Sequence, residues 1–111
     1  MAGTVRVRDV AAVVRSKNAG PFRLTLDILF KDGATYRRVV ASKIITPELI
    51  ARLYGLRPDQ ITDFVEFEPG LAIKATIPRP VSSGAVGDTD VYGAQQHAPL
   101  LDIEIPLDDE R

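Results

Sequence analysis

The chain of 111 residues has no cysteine, no tryptophan and a single histidine. The absence of cysteine excludes a disulfide, a thiolate nucleophile and a thiolate metal site, and fits a cytoplasmic protein. No apolar run approaches the roughly 18 residues of a membrane-spanning helix, so no membrane association is expected. The N-terminus lacks a positively charged segment followed by a long apolar core, the mark of a secretory signal. One histidine with scattered carboxylates makes no zinc signature. No Gly-Lys-Ser or Gly-Lys-Thr follows a glycine-rich run, and the dinucleotide-binding glycine pattern is missing. Neither a metal nor a cofactor is therefore expected.

What is present describes one modest folded domain, residues 1–111. Hydrophobic residues at 45% and charged residues at 26% separate the chain from disordered sequences. The net charge of −1 hides an asymmetry. Residues 1–43 hold nine Lys or Arg against three Asp or Glu, and residues 59–111 hold three against eleven. The basic residues are spread out, with no dense face and no tryptophan to stack bases, so nucleic-acid binding is not expected. The asymmetry suits head-to-tail contacts or attraction of an anion to one end.

Patterning predicts an α+β fold, a small mixed or antiparallel sheet with helices on one face. A strand near residues 4–7 is followed by a short helix from Asp9, a capping residue. Residues 15–22, Arg-Ser-Lys-Asn-Ala-Gly-Pro-Phe, read as a rigid polar loop. Phe22, Leu24, Leu26, Ile28 and Phe30 alternate with Arg23, Thr25, Asp27 and Leu29 and predict a strand. A helix is expected over 34–43 and another over 47–54. The second has Thr46 as cap, Pro47 at its first position and Gly55 as its stop. Residues 64–68 and 71–77 read as a hairpin, and 101–105 as a last strand. The polar strand face would carry Thr25, Asp27, Lys74, Thr76, Asp102 and Glu104. Between the last two strands, residues 81–99 lack periodicity, and a loop of that length in a small domain is often a binding element.

The candidate site follows from these loops. Arg15 and Lys17 suit a carboxylate or phosphate, with Ser16 and Asn18 as neutral donors and Lys74 as a further cation. His97 is the one side chain suited to proton transfer near neutrality, with Asp88 and Asp90 as its partners and Gln95 and Gln96 as orienting amides. The two loops are expected to converge at one end of the sheet around a small anionic molecule. Ser16 beside Lys17 is no nucleophilic pair, because adjacent side chains need not converge.

Four stretches carry a family resemblance: residues 15–22, 46–50, 72–80 and 87–99. The last, Gly-Asp-Thr-Asp-Val-Tyr-Gly-Ala-Gln-Gln-His-Ala-Pro, is long and specific. On them the chain resembles small bacterial proteins encoded beside, or fused to, AtuA-like proteins of acyclic terpene utilisation. Arg15–Gly20 is also similar to an Arg-Ser-Gly-Asp-Lys-Gly loop in the ferredoxin-like domain of AtuA-like proteins. The resemblance implies a ferredoxin-like domain working beside a large AtuA-like subunit in organic-acid or acyl-CoA catabolism. Some members carry an acyl-CoA synthetase label, but this chain has no adenylation motif. The expected role is thus an accessory subunit that supplies partner contacts and an anion-binding loop. The alternatives are a self-contained small lyase or hydratase acting through His97, and a homo-oligomeric structural protein.

Overall fold

The computed structural model describes residues 3–79 and 97–107 of the protein. In chain order these form β1 (Gly3–Arg6), α1 (Val7–Val10), β2 (Ala11–Asn18), β3 (Arg23–Phe30), α2 (Gly33–Ser42) and α3 (Pro47–Tyr54). A 3-10 turn at Pro58–Gln60 leads to β4 (Asp63–Phe67), and a second at Glu68–Gly70 to β5 (Ala72–Pro78). The chain closes with α4 (Ala98–Leu101) and β6 (Glu104–Leu107).

Four strands form an antiparallel sheet in the order β2-β3-β5-β4, and β1 pairs with β6 in a separate antiparallel ribbon. The two central strands owe their place to alternation. Successive side chains of a strand point to opposite faces. Leu24, Leu26, Ile28 and Phe30 of β3 therefore share a face with Ile73, Ala75 and Ile77 of β5, and all seven are buried. Tyr36 and Val39 of α2 and Ile50 of α3 pack on that face, and Val7, Leu100, Ile103 and Ile105 complete the core.

Both longer helices start on a side-chain cap. Asp32 Oδ1 accepts the Thr35 N–H at 2.7 Å, and Thr46 Oγ1 accepts the Leu49 N–H at 3.1 Å. Each bond satisfies a donor that the first turn leaves open. The Asp32 carboxyl is held below its ordinary pKa, chiefly by the Thr35 backbone N–H. α3 stops at Gly55, whose φ of 69° is left-handed. α2 stops at Lys43, a non-glycine residue in the same region at φ 55°.

The fold differs from the sequence reading in several elements and in topology; Phe22, expected to open the strand, lies just before β3 and is exposed. The short helix begins at Val7, so Asp9 lies inside it and accepts the Arg6 N–H at 3.2 Å instead of capping it from outside. Residues 15–18, expected as loop, are the second half of β2, paired along the length of β3. A register shift between Ala11 and Val13 breaks the alternation that marks a strand, which is why β2 does not read as one. Residues 101–105 are split between the end of α4 and the start of β6. Asp102, expected on a strand, follows α4 and accepts Arg8 Nη2 at 2.6 Å. The element order shows no clear ferredoxin-type β-α-β-β-α-β topology: β2 and β3 are joined as a hairpin, and the helices α2 and α3 follow both. Residues 81–96 of the expected irregular segment lie outside the described residues.

Candidate functional site

One face of the four-stranded sheet carries the helices, and the other presents three rows of side chains. The strand register defines them. Val13, Leu29, Ala72 and Phe67 form an apolar row across all four strands. Arg15, Asp27, Lys74 and Val65 form the next. Lys17, Thr25, Thr76 and Asp63 form the third. The face thus grades from apolar to charged to polar over three rows.

The middle row holds the strongest interaction. Arg15 Nε donates to Asp27 Oδ2 at 3.0 Å. Asp27 is 1% exposed, whereas the Arg15 side chain is 52% exposed. Asp27 Oδ1 is buried and has no hydrogen-bond partner among the described residues. Such an oxygen carries its desolvation cost without compensation, roughly 1–3 kcal/mol for a buried polar group. Lys74 is the register neighbour of Asp27 on its other side. An acid is therefore flanked by two cations in a row that lies between an apolar row and a polar one. Val13, Val65 and Phe67 on this face are 41%, 46% and 48% exposed. Together these groups suit a second surface that is part apolar and part acidic.

The expected site residues divide by strand alternation. Arg15, Lys17 and Lys74 share the open face. Ser16 and Asn18 point to the opposite face, where Ser16 is buried beside Leu26 and Asn18 Oδ1 accepts a hydrogen bond from Arg79 Nη1. A strand cannot turn four consecutive side chains onto one ligand, as the expected loop would have done. His97 lies at the start of α4, which packs against α1 and α3. Its backbone carbonyl accepts the Leu100 N–H at 2.9 Å, and its Nδ1 is buried without a hydrogen bond among the described residues. Asp88, Asp90, Gln95 and Gln96 lie outside the described residues. Among the described residues no group of three or more His, Asp or Glu is placed to hold a metal ion, and no helix is long and apolar enough to cross a membrane.

Two features escape the sequence reading. Asp27 looks like any polar position on an alternating strand, and its burial depends on neighbours from β2 and β5. A cleft on the helix side, lined in part by Leu53, Tyr54, Gln60 and Arg79, also takes Leu24 from β3 and Pro99 from α4 and so draws on four separate stretches of the chain. Only the prolines at 58, 78 and 99, each ending or starting an element around it, hint at it in the sequence.

Fold and site together define a small α+β sheet domain whose open face carries a charged row bordered on one side by an apolar row. Residues 7–104 match the family described as a domain of unknown function, DUF4387, and the chain belongs to that family. Neither a curated protein nor a solved structure matches it.

Proposed function

We propose that the protein is a small accessory subunit of an AtuA-like enzyme system in organic-acid or acyl-CoA catabolism, docked on its larger partner through the open sheet face. The observation that carries docking is the apolar row Val13–Leu29–Ala72–Phe67 beside the Arg15–Asp27–Lys74 row. Ala72 within that row is buried, but Val13 and Phe67 at its ends and Val65 beside it are 41%, 48% and 46% exposed, and exposed apolar side chains with charges beside them have the composition of an interface. Arg15, Lys17 and Lys74 favour a partner surface bearing carboxylates, or an anionic ligand held between the two chains. The partner's identity, and the ferredoxin-like kinship that goes with it, rest on the likeness of residues 15–22, 46–50, 72–80 and 87–99 alone. A lyase or hydratase acting through His97 is the second reading, and the buried Nδ1 with no described partner is what favours it.

Affinity purification of the tagged chain from its native host tests the proposal. An AtuA-like large subunit is expected to co-purify. Phe67→Glu should weaken that association by about 10-fold or more, since a charge would enter the desolvated part of the contact. Phe67 is half exposed, so the chain's own denaturation midpoint should move little. Recovery of this chain alone, with turnover on acyl-CoA thioesters or hydroxy acids that His97→Gln abolishes, would replace the accessory role by the enzymatic one. A homodimer dissolved by Phe67→Glu would assign the face to a second copy.

A further inference from the structure

We propose that the cleft between the C-terminal end of α3 and the ends of β3 and β5 binds an aliphatic carboxylate. The chain of the ligand would lie against Leu24, Leu53, Leu56 and Ile77, and its carboxylate would meet Arg79. The cleft encloses about 490 Å³. That falls within the range of small-molecule sites, roughly 300–1,000 Å³, which pair apolar walls with a few placed polar groups.

Each wall has a local cause. Leu24 and Ile77 are register partners on the helix-facing side of the sheet and form the floor. Gly55 turns the chain after α3, and the Leu56 N–H then donates to the Ala51 carbonyl at 2.8 Å, which leaves Leu53 and Leu56 both lining the cleft. Leu53 remains 37% exposed although it is an apolar residue lining the cleft. A ligand chain would cover it.

Three polar side chains, of Arg79, Tyr54 and Gln60, also line the cleft. Arg79 is fixed by its backbone N–H, which donates to the Phe22 carbonyl at 2.8 Å, and by its guanidinium, which donates to Asn18. The guanidinium fork matches a carboxylate in shape as well as charge. Burial pushes the Tyr54 phenol above its ordinary pKa, so it stays a neutral hydroxyl at physiological pH. A cation, a hydroxyl and an amide beside four apolar side chains select a ligand that is apolar along its length and anionic at one end. The cleft lies on the helix side of the sheet, so this inference does not depend on docking at the opposite face.

Titration calorimetry on the full chain, with octanoate, octanol and acetate as probes, tests it. Octanoate should bind at least about tenfold more tightly than either octanol or acetate, because only octanoate supplies both the chain and the charge. Amide chemical shifts should change at Leu53, Tyr54 and Ile77. Arg79→Gln should reduce octanoate affinity about tenfold and leave octanol unchanged. Leu53→Asn, at a partly exposed position that does not threaten folding, should weaken octanoate and octanol alike. Equal affinity for octanoate and octanol, no octanoate binding, or shifts confined to other residues would each overturn the assignment.

Discussion

The Arg15–Asp27 pair is asymmetric at the residue scale, and its two halves should respond differently to mutation. Arg15→Ala leaves a nearly fully buried carboxylate without its guanidinium. It should destabilise the protein by about 2–3 kcal/mol, with Lys74 as the only neighbouring cation of the row to compensate. Asp27→Leu removes the orphaned Oδ1 along with the charge, and Arg15 can turn to water. That change should be close to neutral, or stabilising by up to about 1 kcal/mol. Chemical denaturation of the two single variants measures the difference, and equal losses would refute the asymmetry. Tyrosines give a second residue-scale expectation. Burial raises the pKa of both Tyr36 and Tyr54 above the ordinary 10.0, with Glu66 and Glu68 adding to the effect at Tyr36. The neutral phenols contribute stability that is complete below 10.0 and is lost as pH rises from there toward their raised folded values. Tyr54→Phe should therefore shrink the loss of stability between about pH 8 and about pH 11, as read from urea midpoints at the two pH values.

At the scale of elements, the caps and the central strands carry the fold. Thr46→Ala removes the acceptor for the Leu49 N–H and should cost about 1 kcal/mol. Ile50→Asp and Ile73→Asp place a charge where the native side chains are 1% and 2% exposed, and each should cost more than about 4 kcal/mol, enough to unfold a marginal domain. A denaturation midpoint unchanged in either variant would contradict the packing of α3 on β5. These are also the elements that the sequence makes legible. The alternation in β3 and β5 and the Thr46-Pro47 start of α3 are local signals, written in adjacent residues. β2 is harder, because its bulge shifts the alternation partway along and its second half is polar. An edge strand has only one neighbour to satisfy, and its charged side chains discourage pairing with another chain. α4 and β6 are too short for periodicity to emerge. The candidate site was legible in its residue types and not in its shape. Arg15, Lys17 and Lys74 stand out as cations from sequence alone, but only the register shows that Ser16 and Asn18 point away from them and that Asp27 lies between Arg15 and Lys74.

For the whole molecule, the two sides of the sheet differ: one makes the core with the helices, and the other carries the Arg15–Asp27–Lys74 row. The segments at the two ends of the described chain matter most for closing that core. Val7 is fully buried and its N–H donates to the Ile103 carbonyl at 3.0 Å, while β1 runs antiparallel to β6 from Gly3↔Leu107 to Arg6↔Glu104. Removing residues 98–107 should abolish cooperative unfolding, since Leu100, Ile103 and Ile105 all leave the core; a truncated chain that still melts in one sharp transition would show otherwise. This ribbon also sets an order of events during synthesis. The hairpin of β2 and β3 can form while the chain is still on the ribosome, but β1 must wait for a strand made about 100 residues later, some seconds afterwards at ordinary translation rates. Until then Val7 has no partner at Ile103, and the part of the core that Leu100, Ile103 and Ile105 fill is missing. Among the described residues the β1–β6 ribbon is thus the last strand pairing that synthesis makes possible.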